Sequence, residues 1–139
     1  MNETIIALII SIAIEMGIPS GFALSIAVEE NPSLDPLAVN ENDNGTFDRG
    51  IFQLNSSWYN DEFWFDPETN IRAGCAYIKE LMSKPGVNTW WSVAICYNAG
   101  YGRLNNPPDT SIEYAGRVIS RWRAMDRLSF QVLTGGRSR

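Results

Sequence analysis

The 139-residue chain contains no histidine. That absence removes Ser/His and Cys/His nucleophilic systems and the usual imidazole-based zinc sites together. Acid–base chemistry near neutral pH then falls to a carboxyl whose surroundings raise its pKa. Cysteine is scarce too, and Cys75 and Cys96 do not form a metal-ligand spacing. Each lies in an apolar helical stretch and reads as a small buried side chain, with a disulfide between the two helices as the alternative. Basic residues are outnumbered, 11 Lys and Arg against 16 Asp and Glu, for a net charge of −5. A chain without an excess of phosphate-neutralising charge is not expected to bind nucleic acid, nor to be drawn from a distance to an anionic surface. Long apolar runs are also missing. The stretch Thr4–Met16 (TIIALIISIAIEM) falls well short of the roughly 20 residues a membrane span takes, so no membrane insertion is expected. It carries no preceding Lys or Arg and no A-x-A-type cleavage site, so it reads as a buried first helix and not as a signal peptide.

Apolar residues make up 45% of the chain and charged residues 19%, the balance of an ordinary globular domain with enough length to bury a core. The expected organisation is a single domain over residues 1–130 with a disordered tail at 131–139. Five Trp and five Tyr exceed what core filling requires in so short a chain. Aromatic rings with one wet edge often floor grooves that bind sugars or peptides.

The pattern along the chain is helical. The first helix should stop at Gly17-Ile18-Pro19, and Ser20 is expected to N-cap a second helix running to Glu30, closed by Asn31-Pro32. That second segment, GFALSIAVEE, is apolar nearly all round and belongs in the middle of the molecule. Asn42-Asp43-Asn44-Gly45 is a hairpin-type turn signal, so a small loop or two-stranded ribbon is expected there, followed by a short element around Trp58. Asp66-Pro67-Glu68 opens a third helix with Ile71, Cys75, Ile78 and Leu81 at helical spacing. A fourth runs from about Thr89 to Asn98, and a last one starts near Thr110. The class is all-α with one small loop or β-ribbon region.

At 100° per residue, Glu30 falls on the stripe of Ala23, Ile26 and Ala27, whereas Glu29 falls beside Ser25 on the only polar side of the helix. Glu30 is therefore the carboxyl expected to face the interior or a cleft, and an apolar wall raises a carboxyl pKa toward what a general acid needs. A solvated pair of glutamates at a helix end is the plainer alternative.

A set of short motifs follows in order: Ala27-Val28-Glu29-Glu30-Asn31, Asp35-Pro36-Leu37-Ala38-Val39-Asn40, Gly50-Ile51-Phe52-Gln53-Leu54-Asn55, Asn70-Ile71-Arg72-Ala73-Gly74, Cys96-Tyr97-Asn98-Ala99-Gly100 and Glu113-Tyr114-Ala115-Gly116-Arg117-Val118. Together they resemble the catalytic domain of the SLT-type lytic transglycosylases, which is itself similar to goose-type lysozyme. Each piece alone is weakly specific; in this order and spacing, over about residues 20–120, they are strong. The chain departs from the family pattern at Asn31, where the family has Ser, at Phe52, where it has Met, and by one extra residue before Leu34.

The resemblance implies a lysozyme-like fold with the ribbon beside a cleft, Glu30 as the catalytic acid–base, no metal, no cofactor, and peptidoglycan glycan strands as partner. It implies substrate-binding positions at Gln53, with its amide in the groove, and at Tyr97, Asn98, Asn31, Asp48 and Tyr114; surface amide and buried structural tyrosine are the plainer alternatives for Gln53, Tyr97 and Tyr114. The implied reaction splits the β-1,4 bond between N-acetylmuramic acid and N-acetylglucosamine without water. Glu30 protonates the leaving oxygen and then deprotonates the C6 hydroxyl, leaving a 1,6-anhydro ring. The alternatives are a goose-type-like hydrolase with Asp48, or else Asp43, as second carboxylate, and an inactive glycan-binding module, a reading motivated by Asn31 and the extra residue. The expected place of action is the bacterial cell wall, periplasmic or extracellular; with no signal peptide read, a phage source or a non-standard export route is expected.

Overall fold

The structure, a computed structural model, describes residues 2–133. Helix α1, Glu3–Glu15, is capped by Asn2, whose side-chain oxygen accepts the Ile5 amide at 3.1 Å. It ends on Gly17 at φ +77°, a left-handed conformation that glycine adopts without a Cβ penalty. Helix α2, Ser20–Glu30, starts at its expected cap, one residue early: Pro19 occupies the cap, and its carbonyl accepts the Ala23 amide at 3.1 Å. Ser20 is thus the first helical residue and makes no capping bond, because proline already presents a carbonyl with a suitable φ of −55°.

Helix α3, Pro67–Met82, begins as expected, with the Asp66 carboxylate accepting the Thr69 amide at 3.0 Å. Helix α4, Trp90–Ala99, is capped by Thr89 and ends at Gly100, φ +89°. A 3-10 turn at Tyr101–Arg103 leads to helix α5, Asp109–Leu133. Its last three residues fall inside the segment expected as a tail; residues 134–139 lie outside the described residues.

Between α2 and α3 the chain forms a three-stranded antiparallel sheet, β1 Val39–Glu41, β2 Phe47–Arg49 and β3 Leu54–Asn55, in that order. The expected ribbon is β1–β2 across the Asn42–Gly45 turn; the third strand was not anticipated. It forms because the Gly50–Gln53 turn, closed by Gln53 N–H to Gly50 O at 3.1 Å, folds Leu54 and Asn55 back onto Arg49 and Asp48.

The core is centred on α2, where Phe22–Val28 are all buried, as its all-round apolarity requires. Helices α1 and α5 cover it, and the Phe22 ring lies 5.0 Å from Trp90 and 5.6 Å from Trp122. Cys75 and Cys96 are both buried free thiols. No helix among the described residues is long and apolar enough to cross a membrane.

Candidate active site

Glu30 is the last residue of α2, so the most buried helix delivers its final side chain to the edge of the core. The Tyr114 hydroxyl, on α5 and only 4% exposed, donates to Glu30 Oε2 at 2.6 Å. Burial pushes the Glu30 carboxyl up to about 7; the Tyr114 bond opposes that rise, and the negative charges of Asp48 and Glu29 add to it. At neutral pH a sizeable share of Glu30 therefore carries its proton.

Glu29, one residue earlier, has the opposite fate. Its two oxygens accept from Arg117 Nε at 2.6 Å and Arg121 Nη1 at 3.0 Å. Partial burial raises its pKa, but the hydrogen bonds and charges of the two arginines outweigh this and leave it below the ordinary value. The helical phase separated the two glutamates, though not for the reason assumed. Ser25 is not on a wet side: it is fully buried, donating to Gly21 O at 2.7 Å and lying 3.9 Å from the Met125 sulfur. The α5 helix covers that face and supplies cations to Glu29.

Glu30 opens into a cleft of about 510 Å³ between the helices and the sheet, lined also by Asp48, Gln53, Trp58, Tyr77, Tyr97 and Asn98. Strand β2 carries Asp48, and its cross-strand neighbour Asn55 donates to the Asp48 carboxylate at 2.9 Å. The same Asn55 amide donates to Thr46 Oγ1 at 3.0 Å, to which Asn42 also donates at 3.1 Å. These polar side chains of the hairpin line the cleft and were missed from the sequence. Their only signal was the density of Asn, Asp and Thr around a turn, which reads equally as turn chemistry. Trp58, half exposed, lies 4.8 Å from Tyr77, which lies 5.3 Å from Tyr97, so part of the aromatic excess lines the cleft.

Five of the seven expected site residues, Glu30, Asp48, Gln53, Tyr97 and Asn98, line this cleft, while Asn31 and Tyr114 do not. Asn31 is 5% exposed and ties the loop after α2: its amide donates to Asp35 O at 2.9 Å and Gly50 O at 3.2 Å, and its oxygen accepts the Asp35 amide at 3.3 Å. With its amide hydrogens engaged by the loop, it supports the wall from behind. Gln53 lines the cleft but does not hold out a free amide. Its Nε2 donates to Ala38 O at 3.2 Å and Gly50 O at 2.9 Å, and its Oε1 accepts from Asn40 at 2.6 Å. Those bonds hold the residue at φ +52°, a conformation that side chains rarely adopt. The Tyr97 hydroxyl is committed as well, donating to Phe52 O at 2.7 Å, so its ring and not its hydroxyl is what the cleft receives. Asn98 Oδ1 accepts from Ser111 at 2.6 Å.

The Asn70 and Gly74 motif positions explain themselves here. One turn apart on α3, they clamp the Gly50–Phe52 segment. Asn70, 1% exposed, accepts the Phe52 amide at 2.8 Å and donates to Arg49 O and Trp64 O at 3.2 and 3.0 Å. A Cβ on Gly74 would overlap the Phe52 ring, and one on Gly50, at φ +80°, would overlap Asn70. Among the described residues no group of three His, Cys, Asp or Glu could hold a metal ion.

Residues 7–119 of the chain, which include the buried helix ending in Glu30, the small sheet and the cleft, match the family described as the Transglycosylase SLT domain. The chain belongs to that family. It is also similar to lysozyme-like protein 6 of Bos taurus, 34% identical over 84 residues, which are 60% of this chain and 54% of that protein. The Mus musculus lysozyme-like protein 6 is 32% identical over 84 residues, again 60% and 54% of the two chains. The chain thus spans about half the length of these curated relatives. In fold it is similar to the lytic transglycosylase Slt from Pseudomonas aeruginosa, solved by X-ray as an inactive mutant: TM-score 0.68 at 19% identity, covering 94% of this chain and 24% of that one.

Proposed function

We propose that this chain cleaves the β-1,4 bond between N-acetylmuramic acid and N-acetylglucosamine in peptidoglycan, with Glu30 as its acid–base. The observation that carries the proposal is the Glu30 carboxyl, pushed up to about 7 at the edge of a sugar-sized cleft. A group that first gives and then takes a proton works best with a pKa near the operating pH. Tyr114 orients its carboxylate, and Trp58 and Tyr77 offer ring faces to a glycan. Gln53, Asn31 and Tyr97 act by holding the wall in shape, and Asn98 lies at the rim. The chemistry takes place on the cell wall, outside the cytoplasmic membrane.

Two routes follow protonation of the leaving oxygen by Glu30. In the first, the C6 hydroxyl of the muramic ring gives its proton to Glu30 and attacks its own anomeric carbon, leaving a 1,6-anhydro end; membership of the SLT family favours it. In the second, Asp48 faces the developing oxocarbenium ion, either as nucleophile or by positioning water on the far face, and a reducing end results. The position of Asp48 in the same cleft, held by Asn55 and acting on the charge of Glu30, favours this hydrolytic route, as does the likeness to lysozyme-like proteins.

Digestion of purified peptidoglycan followed by mass measurement separates the routes, since the products differ by one water. Glu30→Gln should lower activity by about 10²–10⁴-fold on either route; equal, low activity in the variant and the native protein would leave only a glycan-binding module. Asp48→Asn should abolish reducing-end products if hydrolysis is correct, and leave anhydro-end formation largely intact if it is not.

A further inference from the structure

Two glutamates sit side by side at the end of α2, and α5 treats them differently. The α5 side chains concerned are Tyr114, Arg117 and Arg121, spaced three and four residues apart and therefore on one helix face. The hydroxyl goes to Glu30, and both guanidinium groups go to Glu29. The register is set by close packing further along. Gly21 lets α2 approach until a Cβ there would overlap the Trp122 ring, and Ser25 meets Met125. Early residues of α2 thus meet late residues of α5, which brings Glu29 and Glu30 to the Tyr114–Arg121 segment. The Glu29 side chain is only 13% exposed, so the ion pair is shielded from solvent on one side; the Arg117 and Arg121 side chains are 54% and 33% exposed.

We propose that Glu29, Arg117 and Arg121 form a positioning device for Glu30: Glu29 holds two cations away from the reactive carboxyl, and they hold Glu29 as a fixed anion beside it. Without Glu29, two guanidinium groups on the same face as Tyr114 would be free to turn toward Glu30 and stabilise its ionised form, taking away the proton that the reaction spends. Without the arginines, an uncompensated carboxylate would stand next to Glu30 and favour its protonated form. The other groups that bear on Glu30 are Asp48 from the sheet, Tyr97 from α4 and Tyr114 from α5, none of which is altered by these changes.

This inference rests on Glu30 acting as the acid in the proposed reaction. The experiment is the pH dependence of kcat/KM on soluble peptidoglycan fragments for Glu29→Gln, Arg117→Gln and the Arg117→Gln/Arg121→Gln pair. Rate is lost on the alkaline side as Glu30 gives up its proton. Glu29→Gln should move that limb to lower pH, with a drop of roughly two- to fivefold at pH 7 that recovers at pH 5, a displacement of about half a unit to one unit. The arginine variants should move it the other way. Should the double variant fail to fold, Arg117→Gln supplies the opposite arm alone. Folded variants whose alkaline limb does not move, or move in the same direction, overturn the proposal and leave the cluster a purely structural clamp. Failure of the underlying reading looks different: Glu30→Gln would then keep the activity of the native chain.

Discussion

Tyr114 donates to Glu30 at 2.6 Å, and the sign of its influence on the acid can be worked out. A hydrogen bond to a carboxylate favours the ionised form, so Tyr114 holds the Glu30 pKa below what burial alone would produce. Tyr114→Phe should therefore raise it and shift the alkaline limb of the rate profile upward. Maximal rate should fall by roughly tenfold, because the carboxyl loses the bond that orients it. A pH–rate profile checks both effects; a limb that moves down would mean the hydroxyl serves the protonated carboxyl instead. Asn31 shows what one residue can conceal. Next to the predicted acid it looks like a substrate ligand, yet its amide and oxygen are used by Asp35 and Gly50 some distance along the chain. Sequence adjacency gave no means of telling a group that faces the cleft from one that faces the loop behind it.

Among the elements, α3 and the β2–β3 turn depend on one another. Asn70 receives the Phe52 amide, Gly74 makes room for the Phe52 ring, and the Phe52 carbonyl accepts the Tyr97 hydroxyl. Gly74→Ala gains helix propensity in the interior of α3, worth about 1 kcal/mol in isolation. The new Cβ would overlap the Phe52 ring, which is fully buried and cannot swing aside cheaply. Overpacking of this kind costs about 1–3 kcal/mol, so the net change should be destabilising by up to about 2 kcal/mol. Urea denaturation would measure it, and a variant more stable than the native chain would show that the turn can yield. Helix boundaries were legible because caps and stops are local: Asp66, Thr89 and Gly100 all act within a few residues. The third strand was not legible, because Leu54 and Asn55 become a strand only when a turn returns them to β2.

For the molecule as a whole, Glu30 links the candidate reaction to stability. Its carboxyl sits at about 7 in the folded chain against an ordinary 4.5, so folding favours the protonated form. Below pH 4.5 the group is protonated folded or unfolded and exacts no penalty. Between 4.5 and about 7 the unfolded chain ionises first, and stability is lost as pH rises. A shift of this size corresponds to about 3 kcal/mol as an upper bound. Glu30→Gln should thus be more stable than the native chain at pH 7.5 and nearly equal to it at pH 4, as read by chemical denaturation at the two pH values. Equal stability at both would mean the carboxyl is better solvated than its surroundings imply. Glu29 works in the other direction: its lowered pKa contributes stability above the ordinary range that is lost on acidification.

By itself the sequence determined the helical class, the burial of α2, the lack of any imidazole, and the helical phase that sends Glu30 and Glu29 to different surroundings. Each of these depends on composition or on a period of a few residues, which local backbone geometry dictates. Membership of the SLT family was legible for a related reason, since it lies in the order of short motifs. The tertiary structure alone decided which motif residues reach the cleft: Gln53 and Tyr97 line it with their hydrogen-bonding groups already spent, Asn31 and Tyr114 stand behind it, and Asn55, Thr46 and Trp58 join it. It also decided that a helix some ninety residues away supplies Glu29 with two arginines and Glu30 with a hydroxyl. A side chain's partner depends on the register in which distant helices pack, and that is set by contacts such as Gly21 against Trp122 that leave no periodic trace along the chain.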